Sequence, residues 1–281
     1  MAATKSRYVV CGNPVAHSQS PFIHAAFAAQ TGEPVVYDRL LCALDAFAAT
    51  VRGFVAGGGS GCNVTMPFKF DAWALADRHS ARARLAGACN VLRFDADGWH
   101  GDNTDGAGLV RDLEHNAGVP LRGLRVLVLG AGGAAAGAID PLLAARPAAL
   151  VIANRTPEKA HALAARHAER AAGFGVALSA APLEAPGAGF DLLVNATAAS
   201  IEAEVPPLPA GTLRPGALAL DMMYGPKARP FLQWARANGA VARDGLGMLV
   251  EQAAEAYLVW FGVRPDTFAT LATLRREVDA A

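Results

Sequence analysis

Apolar residues in this chain fall into short runs separated by polar, glycine- or proline-bearing breaks. Tyr8-Val9-Val10-Cys11 halts at Gly12-Asn13-Pro14, which predicts a strand and then a loop. Beyond the loop, Ser20 is placed as an N-cap and Pro21 as a first helical residue. Phe22, Ile23, Ala26 and Phe27 then recur at helical spacing through about Gln30. A strand over 35–41, a helix over about 44–55 stopped by Gly57-Gly58-Gly59, and a strand over 62–66 follow. In the second half the pattern predicts a helix over 105–116, ended by Gly118 and Pro120, and a strand over 124–130. A helix to about 145, kinked by Pro141, a strand over 149–153 and a helix to about 172 come next. Buried strands over 192–195 and 217–222 flank an ordered, proline-rich loop over 198–215. A helix over 229–238, a strand over 240–243 and two last helices, from Leu246 and from about Pro265, complete the chain. Strands alternating with helices predict an α/β fold whose sheet is mostly parallel and covered on both faces.

One stretch, Gly61 to Gly106, breaks this rhythm with polar residues in turn-like settings. Asn63, Thr65 and Lys69 surround a strand-to-helix corner, with Pro67 where a helix would start. Asn90 opens a second apolar segment through Phe94. The closing Gly101-Asp102-Asn103-Thr104-Asp105-Gly106 reads as too polar and too rich in glycine for any core. This suggests a substrate held between Lys69 and Asp105. If the two side chains meet, the pair suits proton transfer at a hydroxyl carbon during hydride loss. The plainer reading is an exposed lysine at a helix start and an aspartate capping the next helix. Upstream, Ser18 and Ser20 lie in a loop after a strand, where ligand sites of α/β sheets gather. Their hydroxyls could share one carboxylate, or Ser20 could serve only as a cap.

The run Leu124–Gly130 enters Gly130-Ala131-Gly132-Gly133-Ala134-Ala135 and then a helix, as a dinucleotide-binding turn does. Gly130 would make the tight turn and Gly132 would let backbone N–H groups approach a pyrophosphate, with Ala135 at the third position. A tight turn without a ligand is the alternative. After the second strand, where an NAD enzyme presents an acidic residue to the ribose, the chain reads Asn154-Arg155-Thr156 with Lys159 one turn on. Arg155 can pair with a 2′-phosphate, which favours NADP; a solvated surface Arg and Lys is the bland alternative. Met222-Met223-Tyr224-Gly225-Pro226 ends a buried strand, where Tyr224 could turn its hydroxyl toward a ligand.

Composition narrows the classes. With 281 residues, 53% hydrophobic and 18% charged, the chain can fill one large domain or two. The 25 basic and 25 acidic residues cancel, so neither nucleic acid nor an anionic membrane is an expected partner. Cys11, Cys42, Cys62 and Cys89 show no CxxC pairing, which predicts buried free thiols in a reducing compartment. The seven histidines have no metal-ligand spacing, and no metal is expected. The N-terminal residues lack an apolar signal segment, and Val126–Ile139 is too short and glycine-broken to span a bilayer; a cytoplasmic enzyme is expected.

Read in order, GNPVAHSQSPFIH (12–24), NVTMPFK (63–69), AGACNV (86–91), GDNTDG (101–106), LGAGGAA (129–135), NRT (154–156), DMMYGP (221–226) and GLGMLVEQAA (245–254) make the chain resemble the shikimate dehydrogenase family over almost its full length. The resemblance implies reversible, NADPH-dependent reduction of 3-dehydroshikimate to shikimate, on the route to chorismate and the aromatic amino acids. By that likeness Lys69 is the acid/base residue and Asp105 its partner. Ser18, Ser20 and Tyr224 would hold the substrate carboxylate, and Thr65, Asn90 and Gln252 the ring hydroxyls. Gly130, Ala131, Gly132, Gly133 and Ala134 would cradle the pyrophosphate, and Asn154, Arg155, Thr156 and Lys159 the adenosine phosphate. The backbones of Met222 and Gly245 would lie near the nicotinamide. It also implies two α/β domains with a cleft between them. Residues 1–104 and 245–281 would form a discontinuous substrate-binding catalytic domain, and 105–244 a Rossmann-like NADP-binding domain. A monomer or a homodimer is expected. The chain departs from the family at Ala198-Ala199-Ser200-Ile201, where a Ser and a Gly are usual, and at Arg229, where Thr is common. Rival readings are an NAD-linked quinate/shikimate dehydrogenase, against which Ser20 and Arg155 stand, and a silent binding module, against which retention of Lys69 and Asp105 stands.

Overall fold

The computed structural model describes residues 5–197 and 204–280. The strands form two six-stranded sheets. The first is built from β1 (Ser6–Gly12), β2 (Val35–Leu41), β3 (Gly59–Val64), β4 (Arg78–His79), β5 (Val91–Asp95) and β6 (Gly98–Asp102), in the order β2-β1-β3-β5-β6-β4. The strands β2, β1 and β3 are mutually parallel, but β5 runs antiparallel to both β3 and β6. The sheet is mostly parallel, as expected, with β5 its one reversed strand. A two-residue turn over 96–97 joins β5 directly to β6, and so short a connection can only return antiparallel.

The second sheet holds β7 (Arg125–Leu129), β8 (Ala149–Asn154), β9 (Ala177–Pro182), β10 (Phe190–Asn195), β11 (Leu213–Asp221) and β12 (Val241–Arg243), ordered β12-β11-β10-β7-β8-β9. Every pairing is parallel. Counted from β7, this is the doubly wound order whose chain reverses between the first and fourth strands. Its strands are apolar on both faces: Val126 and Val128 enter one core cluster and Leu127 and Leu129 the other. Each such fully buried side chain contributes about 1.5–3 kcal/mol, and the period of two divides them between the layers above and below.

Helices cover both sheets: α1 (Ser20–Thr31), α2 (Phe47–Ala56), α3 (Lys69–Leu75), α4 (Ala81–Ala86), α5 (Asp105–Arg111), α6 (Gly133–Ala144), α7 (Pro157–Phe174), α8 (Arg229–Ala237), α9 (Leu246–Phe261) and α10 (Phe268–Ala280). The expected 105–116 helix is α only through Arg111 and continues as a π turn over Asp112–Asn116. Ser20 is the first helical residue and not the cap; Gln19 stands at the cap position and makes no side-chain cap bond. The helix expected from Leu44 begins at Phe47. The strands β6 and β9 escaped the sequence reading because both are polar or alanine-rich. Of the loop expected over 198–215, residues 198–203, including the departure at 198–201, lie outside the described residues, and β11 already begins at Leu213.

Two close approaches set the geometry between the sheets. A Cβ on Gly108 would lie 2.5 Å from the Gln252 backbone nitrogen, so only glycine lets α5 reach α9 this closely. A Cβ on Gly106 would lie 2.3 Å from the Gly137 carbonyl oxygen. Pro141, inside α6, has no N–H to give that carbonyl, so the helix leaves it free to face α5. The end of β6 and the start of α5 are thereby wedged between the two sheets.

Candidate active site

The stretch read as too polar for a core is buried from Gly101 to Gly106. Its polarity is matched by hydrogen bonds, which is the condition for burying such residues. Asn90, 2% exposed, lies at its centre. Its Oδ1 accepts the Thr104 N–H at 2.7 Å and faces the Thr104 hydroxyl at 3.2 Å. Its Nδ2 lies 2.9 Å from Asp105 Oδ1, 2.9 Å from Thr104 Oγ1 and 3.0 Å from Gln252 Oε1. Two hydrogens thus serve three acceptors. Gln252 is oriented in turn by donating from Nε2 to the Leu249 carbonyl.

Lys69 opens α3, and the Cys89 N–H donates to its carbonyl, so α3 is tied to the segment carrying Asn90. Lys69 Nζ donates to Asp105 Oδ2 at 2.5 Å, with side chains 14% and 7% exposed. The partners suggested by sequence therefore meet. The plainer reading, a lone lysine and a capping aspartate, fails here: Asp105 is the first residue of α5 and its carboxylate is held from both sides. One oxygen takes the ammonium and the other the Asn90 amide.

Behind Asn90 stands a layer that the sequence reading left without a role. Asn63 Nδ2 donates to the Asn90 carbonyl at 3.3 Å, which orients its amide. Its Oδ1 accepts from the Tyr37 hydroxyl at 2.7 Å and from His24 Nε2 at 3.1 Å. His24 is buried against Tyr37, with rings stacked at 4.2 Å, and burial pushes its pKa down to about 3. The ring is neutral, with its hydrogen on Nε2 because its partner there is an acceptor. The signal available in the sequence was an asparagine inside an apolar strand.

Ser18 and Ser20 form a second cluster. Ser18 Oγ donates to Ser20 Oγ at 3.1 Å and accepts the Ser20 N–H at 3.3 Å. Tyr224 comes from the far end of β11; burial raises its pKa, while a hydrogen bond from the Gln19 backbone and the charge of Arg39 lower it. Ser20 also bonds the Tyr37 hydroxyl, which leads through Asn63 to the Asn90 carbonyl. Thr65 lies between the two clusters in sequence, half-buried, and its hydroxyl is unbonded among the described residues.

The glycine turn leaves β7 at the reversal point of the second sheet. Gly130 has φ +103, which only glycine adopts without strain, and a Cβ there would meet the Ala196 carbonyl at 3.0 Å. Gly132 stands at the N-cap of α6 with no side-chain cap, and a Cβ there would meet nothing within 4 Å. Ala131, Gly133 and Ala134 are half-buried beside it. A Cβ on Gly133 would lie 3.2 Å from Lys69 Cβ, so the turn abuts the Lys69–Asp105 pair. Past β8, Asn154 Nδ2 donates to the Thr156 carbonyl, and Arg155, Thr156 and Lys159 are exposed. Met222 and Gly245 also come together: a Cβ on Gly245 would lie 2.3 Å from the Met222 carbonyl oxygen.

An open helix N-terminus at the reversal point of a doubly wound sheet, abutting a buried Lys–Asp pair at the starts of two helices that follow strands of the other sheet, is the build of a dinucleotide-dependent oxidoreductase. Family models match residues 10–92 (shikimate dehydrogenase substrate binding domain), 113–202 (shikimate/quinate 5-dehydrogenase) and 245–275 (shikimate 5′-dehydrogenase C-terminal domain). The chain is 59% identical, over 100% of its length and 97% of the relative's, to a shikimate dehydrogenase (NADP(+)) of Methylibium petroleiphilum. It belongs to the shikimate dehydrogenase family. Among solved structures it resembles an Ael1 enzyme of Pseudomonas putida at 48% identity, covering 96% of this chain and 98% of that one, with a TM-score of 0.85. It also resembles the shikimate 5-dehydrogenase of Thermus thermophilus in complex with NADP(H) and shikimate, at 35% identity, covering 96% and 99%, with a TM-score of 0.83.

Proposed function

We propose that this chain catalyses the reversible reduction of 3-dehydroshikimate to shikimate with NADPH, a step toward chorismate and the aromatic amino acids. The observation that carries the reading is the buried Lys69–Asp105 contact set directly against the glycine turn.

The residues on the cofactor side fit NADP. The N-terminus of α6 is uncapped and open above Gly132, so its N–H groups are free for a pyrophosphate. Gly130, Ala131, Gly132, Gly133 and Ala134 form that cradle. Arg155 and Lys159 are exposed with no carboxylate partner among the described residues, which leaves them for a 2′-phosphate beside Asn154 and Thr156. The adjoining backbones of Met222 and Gly245 would lie near the nicotinamide. Bound NADPH supplies the hydride.

The rest of the chemistry falls to side chains of this chain. In reduction Lys69 Nζ donates a proton to the carbonyl oxygen as the alcohol forms; in oxidation it takes the hydroxyl proton. Asp105 holds the ammonium in place, and Asn90 holds Asp105. Thr65, Asn90 and Gln252 bind the ring hydroxyls, with the free Thr65 hydroxyl available for that. Ser18, Ser20 and Tyr224 take the carboxylate. Residues 1–104 and 245–281 form the substrate-binding unit and 105–244 the nucleotide-binding unit, with Asp105 at the junction. Two of the apolar clusters lie each within one unit, which supports this division, while a third packs Ala86, Ala88 and Met248 against the second sheet. No helix among the described residues is long and apolar enough to cross a membrane. The protein works in the cytoplasm as a monomer or homodimer, with no nucleic-acid partner.

The test is a steady-state assay of shikimate and quinate with NADP and with NAD. Turnover of shikimate with NADP at the highest kcat/KM is expected. Folded protein inactive in all four combinations would overturn the reading.

A further inference from the structure

Arg39, near the end of β2, has no role in the chemistry above, yet both side-chain hydrogen bonds it makes go to one atom. Its Nε and Nη2 donate to the Ser18 carbonyl oxygen at 3.1 and 2.6 Å. That carbonyl and the Gln19 N–H belong to one peptide unit. The unit is trans, so the two groups point in opposite directions. Arg39 therefore grips one side of the peptide while the Gln19 backbone reaches the Tyr224 hydroxyl on the other. The same turn carries the Ser18 and Ser20 hydroxyls, 3.1 Å apart. Arg39 forms no ion pair with a carboxylate among the described residues. A neutral tether would need only a donor, but a guanidinium adds a permanent positive charge beside the serine pair.

We propose that Arg39 is a positioning residue for the substrate's carboxylate. It sets the Ser18–Gln19 peptide so that the two serine hydroxyls and Tyr224 converge, and its positive charge, transmitted across that peptide, favours an anion there. This rests on the reading that Ser18, Ser20 and Tyr224 hold the carboxylate. The role is distinct from proton transfer, so it belongs in KM and not in kcat. Because Arg39 is exposed, its charge is screened by salt and its effect is modest.

The experiment compares wild type, Arg39→Gln, Arg39→Lys and Ser20→Ala with shikimate and with its neutral methyl ester, at low and high ionic strength. Arg39→Gln keeps a donor for the Ser18 carbonyl but loses the charge. It should raise KM for shikimate about three- to fivefold, leave kcat and KM for NADP within about twofold, leave KM for the ester unchanged and abolish the salt dependence of KM. Arg39→Lys should restore most of the loss. An unchanged KM for shikimate in Arg39→Gln, with Ser20→Ala impaired, overturns the role of Arg39 alone. Equal losses on acid and ester reduce it to a loop tether and also overturn the proposal. An unchanged KM in Ser20→Ala overturns the carboxylate reading of the serine pair. Thermal melts of each variant separate these outcomes from misfolding.

Discussion

Around Asp105 the polar atoms are already paired, whereas around Gly132 they stand open. The carboxylate of Asp105, the amide of Asn90, the hydroxyl of Thr104 and the amide of Gln252 bond one another, backed by Asn63, Tyr37 and His24. Among the described residues the helix N-terminus at Gly132 has no capping side chain, and Arg155 and Lys159 extend into solvent. Reactive groups must be held to within fractions of an ångström before substrate arrives, so the proton-transfer side is built in advance. A pyrophosphate and a 2′-phosphate carry their own charge and acceptors, so the other side need only leave donors free.

Replacing Lys69 with Ala strikes the prepared side directly. It should lower kcat by about 10²–10⁴-fold, while shikimate still binds by calorimetry. An unchanged kcat would remove Lys69 from the chemistry. Asn90→Ala tests whether preparation also stabilises the fold. It strands the Thr104, Asp105 and Gln252 acceptors and should cost about 2–4 kcal/mol of unfolding free energy, read as a drop in midpoint in urea, together with a lower kcat. A stable, sluggish variant would mean that the network orients but does not stabilise.

The open side should respond differently. Arg155→Ala is expected to weaken NADP binding about 10- to 100-fold with NAD little changed and the melting temperature unaffected. Equal losses for both cofactors would count against a 2′-phosphate contact.

The last comparison concerns acid stability. His24 and His167 are buried and neutral, their pKa values pushed by burial to about 3 and about 4 from an ordinary 6.5. The unfolded chain takes up these protons below pH 6.5 and the folded chain does not. The stability they contribute is therefore complete above pH 6.5 and is lost as pH falls toward 4 and 3, each at up to ~1.4 kcal/mol per pH unit. Among the described residues neither ring nitrogen of His167, in α7, has a partner. His167→Leu should flatten the acid limb of the stability curve and leave KM for shikimate alone. His24→Leu, which removes a support of Asn63, should flatten the same limb and also raise KM. Identical KM behaviour in the two variants would erase the contrast between the sides.

Much of this is legible in the sequence. The apolar run that becomes β7 and the Gly130 turn are local, because strand propensity and a glycine's positive φ depend on neighbouring residues only. Arg155 in place of an acidic residue was equally visible. The helix cap at Ser20 was misread because a serine before proline has the right chemistry; only the fold shows its hydroxyl engaged by Ser18. The buried Gly101–Gly106 segment was misread for a similar reason. Polarity argues against burial until partners are known, and Asn90 and Gln252 come from distant parts of the chain.

By itself, then, the sequence determined the α/β alternation, the glycine turn, the nucleotide preference and the family, all of which rest on short-range patterns or on motifs in order. The tertiary structure alone decided that Lys69 meets Asp105, that Asn90 and Gln252 converge on the pair, and that Arg39 grips the Ser18 peptide. Such contacts are made between segments far apart in sequence. They form only where glycines such as Gly106 and Gly108 let helices approach within van der Waals distance, and no local pattern encodes which distant atom will be waiting there.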